Sequence, residues 1–341
     1  MRLRLTLAFV LACVSLAAAQ QPSLRGTVVS AETGQPLGFS IVTLLPKTGR
    51  QFTDSAGAFA FVGTTAGRYV LSVRQIGYTP LDTPVVVGGD STILVRIALR
   101  HLAIELPPVT VAGQQCTNPG RPDSSDAALL AVFDQLQENA RRFALLTDSY
   151  PFRYVLETSE RIVNQRGDTG KPVVRKLEFS SSDDHPYAVG RVVEPGYSPW
   201  DLTKLVIHTL GLEYFDNGSF IANHCFRLAG RDTIGGETLA RIDFEPSRRV
   251  WSADLTGAAF LDTLTYELRY TESSLTHPER TDLDGVRTTT VRTQFKNIAP
   301  SVPLQDSLTA VTTYRYGKRT KIDTQRTVDV RFRRRPPIPS P

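Results

Sequence analysis

The sequence predicts a mainly β protein: a seven-stranded β-sandwich at the N-terminus, then a larger α+β domain with a mostly antiparallel sheet and two helices. Three observations carry this. Short runs of β-branched and aromatic residues recur at close spacing and are broken by Gly, Asn and Asp turns. Only two stretches space their apolar residues as a helix does. At 341 residues with an ordinary apolar content, the chain is long enough for two cores.

The first residues, MRLRLTLAFVLACVSLAAAQQ, have the order of a secretory leader. Arg2 and Arg4 precede an apolar run from Leu5 to about Leu16, and Ala17-Ala18-Ala19 supply an A-x-A cleavage site. The run is short of the ~20 residues a membrane-spanning helix needs. Residues 1–20 are therefore expected to be removed, and the mature chain is expected to carry no transmembrane segment. Loss of Arg2 and Arg4 lowers the formal charge from +5 to +3. Much of that excess lies in Arg331, Arg333, Arg334 and Arg335, before the Pro-rich tail 335–341. A basic tail can make peripheral contact with an acidic surface, but solvating the last strand is the simpler role. For an exported protein, nucleic acid is not an expected partner.

Residues 21–100 read as the sandwich. Leu24–Val29 is a first strand, and Phe39–Leu45 a second, mostly buried one. Gln51–Thr53 precedes the tight loop Asp54-Ser55-Ala56-Gly57, where Gly57 is suited to positive φ. Ala58–Val62, Tyr69–Arg74, a strand ending near Val87 and Thr92–Leu99 complete seven.

Several motifs in this region occur in an order that resembles a known family. They are Gly26-Thr27-Val28, Glu32-Thr33-Gly34-Gln35-Pro36-Leu37, Asp54-Ser55-Ala56-Gly57-Ala58-Phe59, Gly67-Arg68-Tyr69 and Ile76-Gly77-Tyr78. Together they resemble a carboxypeptidase regulatory-like domain. The resemblance implies a transthyretin-like (prealbumin-like) sandwich, grouped with carbohydrate-binding-like folds and frequent in bacterial envelope proteins. It implies a fold and little about activity. The zinc peptidase for which the family is named needs an H-x-x-E pair, and His101 with Glu105 has the wrong spacing. Glu105–Val111 also resembles the segment before the plug of an outer-membrane receptor, but no transport barrel follows.

Residues 101–123, with Pro107, Pro108, Pro119 and Pro122, read as a linker to a β-rich domain over 124–334. Ser124 or Ser125 can cap a first helix whose apolar face is Leu129, Val132, Phe133, Leu136, Ala140 and Phe143. Strands are expected at Phe152–Val163, Val173–Phe179 and Ala188–Glu194. Ser198-Pro199 suits the start of a second helix that buries Leu202, Leu205, Val206 and Leu210 and carries His208. Further strands are expected at Cys225–Leu228, Thr238–Glu245, Val250–Asp254, Ala258–Leu261, Thr265–Thr271, Val286–Phe295, Leu308–Tyr316 and Thr327–Arg333, with a turn at Asp254–Gly257. The run Ile242–Pro246, Gly257, Phe260–Asp262 and Glu267–Arg269, with Asn223–Phe226, resembles uncharacterised bacterial secreted proteins that also begin with a regulatory-like domain. By strand pattern alone, the sheet with its helices is similar to the half-barrel of lipoprotein carriers.

Cys13 leaves with the leader, so Cys116 and Cys225 remain. An even count outside the cytosol, with no C-x-x-C pattern, favours one disulfide over two free thiols. Two cysteines and His224 fall short of a zinc site, and no cofactor is expected. His224 beside Cys225 could form a nucleophilic pair, but strand neighbours face opposite ways. The sequence contains no G-x-S-x-G elbow, phosphate loop or H-E-x-x-H, and Asp282-Leu283-Asp284-Gly285 lacks the later ligands of a calcium loop. No catalytic residue is assigned. Tyr197, Trp200 and Trp251, with Tyr187 and Tyr214, are candidates for an aromatic platform for sugars, though such residues more often fill cores. Three readings follow in order. The first is a non-catalytic envelope protein that binds an envelope protein or glycan. The second is lipid or lipoprotein handling by a curled sheet, and the third a hydrolase with an unrecognised site.

Overall fold

The computed structural model describes residues 23–46, 49–88, 92–106, 116–164, 167, 170–183, 185–195, 205–283, 285–315, 319–334 and 336. The protein is mainly β. Its first seven strands are β1 (Ser23–Ser30), β2 (Ile41–Leu45), β3 (Gly49–Phe52), β4 (Ala58–Val62), β5 (Gly67–Arg74), β6 (Leu81–Val87) and β7 (Thr92–Leu99). They form two sheets, β4-β1-β7 and β3-β2-β5-β6. β1 and β7 run parallel, from Ser23 beside Thr92 to Ser30 beside Leu99, whereas the other pairs are antiparallel. Tyr69, Leu71 and Val73 of β5 alternate inward and meet Leu24, Val28, Ile97 and Leu99 of the other sheet. In the loop before β4, Asp54 Oδ1 accepts the N–H groups of Ala56 and Ala58, and Gly57 takes φ 71°.

The rest of the chain comprises α1 (Ala127–Ser149), β8 (Phe152–Val163), β9 (Val173–Ser180), β10 (Val193–Pro195), β11 (Leu205–Ile207), α2 (Gly218–Asn223), β12 (His224–Ile234), β13 (Glu237–Pro246), β14 (Leu255–Asp262), β15 (Leu268–Leu275), β16 (Val286–Ala299), β17 (Val302–Tyr314) and β18 (Thr320–Phe332). Nine of these strands make one antiparallel sheet, in the order β12 to β18, then β8 and β9. The period of two is plain in β16: Thr289, Val291, Thr293 and Phe295 are buried, and Thr290, Arg292, Gln294 and Lys296 are exposed. α1 packs most heavily on the short 3-10 segment Leu212–Asp216, and on β17, β12 and β13 of the sheet. Leu129, Val132, Phe133, Leu136 and Ala140 are buried there with Phe226, Ile242, Phe244 and Leu261.

Several expectations need correction. The second helix is Gly218–Asn223, capped by Asn217, whose side chain accepts from the N–H groups of Ser219 and Phe220. Leu205–Ile207 is instead a strand paired with Val193–Pro195, and His208 follows it; the proposed helix start at Ser198-Pro199 lies outside the described residues. Val206 is exposed, so the apolar spacing there belongs to no buried helix face. Val250–Asp254 is a loop and Leu255–Gly257 is already strand: β13 pairs with β12 as far as Pro246 and with β14 as far as Phe244 beside Gly257. Ala188–Glu194 shrinks to Val193–Pro195. Asp126, rather than Ser124 or Ser125, caps α1 by accepting from Leu129 N at 2.9 Å. Phe39 is in the left-handed region at φ 58° and leaves the sandwich core to pack with Leu146, Phe152, Val302 and Leu304.

That departure marks a wide junction between the two halves. A row of polar side chains on α1 is buried against the sandwich and the sheet turns. Gln135 Oε1 accepts Gly77 N at 2.8 Å. Asn139 donates to Gln135 O at 2.8 Å and Tyr266 O at 3.0 Å, and accepts Leu268 N at 2.9 Å. Arg142 donates to Ser301 O at 2.9 Å, Pro300 O at 3.1 Å and Gln75 Oε1 at 3.2 Å, with its guanidinium 5.6 Å from the Phe52 ring centre. Burial lowers the Arg142 pKa to about 10, with Glu138 and Glu267 opposing the shift.

Glu138 lies in the same row, and its Oε1 has no hydrogen-bond partner among the described residues. Burial raises its pKa, and the nearby Arg142 only partly offsets this. A carboxyl raised in the folded state favours folding below the ordinary carboxylate range, and that contribution is lost as pH climbs through the raised pKa. Glu138→Gln keeps the shape and removes the ionisable charge, so its stability relative to the wild type is expected to be higher at pH 8 than at pH 4, by about 1 kcal/mol. Urea unfolding at the two pH values checks this.

Candidate functional site

The space between α1 and the concave face of the sheet holds a cavity of about 680 Å³. Its more buried lining is chiefly apolar, with Phe143 of α1, Phe295 of β16, Leu304 of β17 and Leu212 beside Thr293, and Ala144 of α1 is at its exposed edge. Period-two alternation sends Phe295 inward, and Pro151 stops α1 so that β8 turns back beneath it. The mouth is polar, with Ser180–Ser182, Asp183, His185, His208 and Glu213. Tyr154 of β8 stacks on Phe179 at 5.7 Å. Burial raises its hydroxyl pKa, and the charges of Asp183 and Glu213 raise it further. The described lining includes Asp148, Asp183 and Glu213 but no lysine or arginine.

A second space of about 340 Å³ continues along the same face, with Thr209 common to both. Its lining is mixed, with Ile207, Val291, Leu308 and Ala310 beside polar groups. Lys321 Nζ lies 3.1 Å from both Glu160 and Asp323, and the Thr289 and Thr312 hydroxyls are 3.2 Å apart. An alkyl chain laid against Lys321 would strip water from an ion pair. At the mouth, His208 Nε2 is 3.1 Å from Glu194 Oε2, and Arg191 pairs with the same carboxylate. The Arg191 hydrogen bond is the main cause of the lowered Glu194 pKa. Among the described residues no group of three or more His, Cys, Asp or Glu side chains could hold a metal ion.

A groove of about 1070 Å³ lies on the other face of the sheet beside Cys116. Among its charges, Arg227 and Arg241 pair with Asp243, and Arg292 lies 3.5 Å from Glu272, with Asp126 and Glu245 also in the lining.

Cys116 and Cys225 form the expected disulfide, with Cα atoms 5.4 Å apart. It fixes the linker to edge strand β12. Cys225 therefore carries no thiol, and its neighbour His224 is fully buried on the opposite face. The His224 ring contacts Phe220 O at 2.8 Å and Leu255 O at 3.1 Å, with Asp254 Oδ1 at 3.6 Å. Tyr187 donates to the other oxygen of Asp254, and that bond, after burial, pushes the Tyr187 pKa up. Of the proposed aromatic platform, Tyr187 and Tyr214 are core residues. Trp251 is exposed, and Tyr197 and Trp200 lie outside the described residues. The cavity wall was missed in sequence, because Phe143, Phe295 and Leu304 each read as ordinary core positions.

Closing a loop of 109 residues stabilises a fold by up to ~4–5 kcal/mol on the chain-entropy model. The Cys116→Ser/Cys225→Ser chain is expected to lose most of that, seen as a lower urea midpoint with an altered slope.

Solved structures with similar strand arrangements were found at low identity. One is a DUF1329 family protein from Desulfovibrio piger, 10% identical, with 60% of this chain and 93% of that chain covered and a TM-score of 0.33. Another is a LolA superfamily protein from Nitrosomonas europaea, 10% identical, covering 60% and 94% with a TM-score of 0.31. A third is a putative outer membrane lipoprotein-sorting protein domain from Vibrio parahaemolyticus, 9% identical, covering 58% and 93% with a TM-score of 0.31. No curated protein matches the chain. A family model does match over residues 24–111, and with the seven-stranded sandwich it identifies that part of the chain as a CarboxypepD_reg-like domain.

Proposed function

We propose that this chain is a non-catalytic binding protein of the cell envelope, in which the curled sheet and α1 hold a small amphiphilic ligand and the sandwich positions that site. One observation carries the reading: the cavity of about 680 Å³ has a chiefly apolar inner wall and a polar mouth. Its size is within the usual range for small-molecule sites, about 300–1,000 Å³. The ligand would put its apolar part against Phe143, Phe295 and Leu304 and its polar part among Asp183, His185 and His208. The leader-like N-terminus supports export, and among the described residues no helix is long and apolar enough to cross a membrane. An envelope protein or glycan as partner fits the same reading, with the sandwich as the docking module.

The test is titration with an environment-sensitive hydrophobic dye, on the wild type and on Ala144→Trp, which places an indole at an exposed position of the cavity wall. One saturable site is expected, weakened at least about tenfold by the substitution, a loss of ~1.4 kcal/mol. Stability should stay within about 0.5 kcal/mol, as for other surface changes. Unsaturable dye uptake, or equal affinity in Ala144→Trp, would remove the cavity as the site and leave protein or glycan docking as the function.

A further inference from the structure

Trp251 is the most conspicuous exposed aromatic side chain of the described residues, with 74% of its surface in solvent. It lies in the loop between β13 and β14, whose neighbours Arg248 and Arg249 are also exposed. Arg280, from the loop between β15 and β16, covers one face of the indole at 4.0 Å and donates to Trp251 O at 2.8 Å. Next to it Glu279 is 3.0 Å from His277 and 3.9 Å from Arg315, at the end of β17. Arg287, at the start of β16, and Arg319, just before β18, are exposed at the same end of the sheet, with Arg319 over the Tyr314 ring at 5.0 Å. Val189, 42% exposed, stands beside this rim because Gly190 abuts Ser252.

The rim occupies one end of the nine-stranded sheet. The sandwich is docked on the opposite end, where Gly77 lies against Thr265 O and Phe39 packs with Val302 and Leu304. Arginines far outnumber acids here: Glu279 and Asp282 are the exposed carboxylates among the described loop residues. An exposed indole amid arginines has the chemistry of a membrane-water interface, where the ring sits at headgroup depth and the guanidinium groups meet phosphates. A protein partner of ordinary composition would leave this excess of arginine unmatched, whereas an anionic lipid surface matches it over its whole extent. We infer that this rim docks the protein on a membrane surface rich in anionic phospholipid headgroups, with Trp251 inserted at the interface. Leu283, Val286 and Tyr314 of the same loops and strand ends line the polar end of the concave space. Docking would therefore turn that end of the space toward the headgroups. The inference is independent of what the cavity holds.

The test uses the mature chain with Trp200→Phe, so that emission reports Trp251. It is sedimented with vesicles of phosphatidylcholine, and with vesicles of phosphatidylcholine and phosphatidylglycerol in equal parts. Binding to the anionic vesicles alone is expected, with a blue shift of the emission and release by high salt. Trp251→Ala and Arg248→Glu/Arg249→Glu, all at exposed positions, should each weaken binding at least about tenfold. Arg333→Ser/Arg334→Ser/Arg335→Ser, which disables the basic tail instead, should keep it. Absence of anionic-vesicle binding, or its retention in the rim variants with loss in the tail variant, overturns the inference. So does heparin binding as tight as vesicle binding with no blue shift on vesicles, since the rim would then be a site for soluble polyanions.

Discussion

Gln135, Asn139 and Arg142 form a polar row on α1 that is buried where the sandwich, the helix and the sheet turns meet. Each of these side chains would be costly to bury without partners, the arginine most of all. Their partners are mainly backbone groups from three separate places: Gly77 in the sandwich, Tyr266 and Leu268 around one hairpin, and Pro300 and Ser301 in another. Backbone groups in fixed turns accept or donate only at one position and angle, so the row sets the orientation of the helix to within a fraction of its turn. With the helix fixed, the space beneath it is fixed too. The cavity wall of Phe143 and Ala144 and the docking angle of the sandwich thus follow from one set of hydrogen bonds.

The concave face is graded rather than uniform. Near the end of α1 it is aromatic and aliphatic, and toward β18 it becomes a floor of threonine hydroxyls around the Lys321 ion pairs. Apolar side chains continue past Thr209, at Ile207, Val291 and Leu308, with the Lys321 ion pairs standing among them. The aromatic cluster around Phe220, stacked on His224 at 3.9 Å, fills the core on the other side of the helix.

Much of the fold was legible because strands write their periodicity locally. Phe152–Val163, Ala58–Val62 and Thr92–Leu99 agree with the sequence pattern to the residue. The Cys116–Cys225 bridge followed from cysteine count and compartment. What failed was decided by tertiary partners. Leu205 and Val206 sit at helical spacing, yet a short antiparallel partner at Val193–Pro195 takes them as strand. Phe39 reads as a strand residue, but its left-handed backbone turns it out to the Leu146–Phe152 cluster. The candidate site was invisible for a related reason. Phe143, Phe295 and Leu304 are apolar residues on three distant segments, and only the folded chain brings them around one space. The buried Gln135, Asn139 and Arg142 would have been read as the solvated side of an amphipathic helix.

The parallel pairing of β1 and β7 has a consequence for spacing. Ser30 and Leu99 are side by side at the end of the sandwich nearest the second domain, so Ser23 stands at the other end. Seven strand steps separate the two ends, roughly 23 Å at the rise of an extended chain. Ser23 therefore stands at the pole of the sandwich away from the second domain. The sandwich is thus a spacer: it sets that pole about one sandwich length from the second domain, whose arginine-rich rim faces the other way.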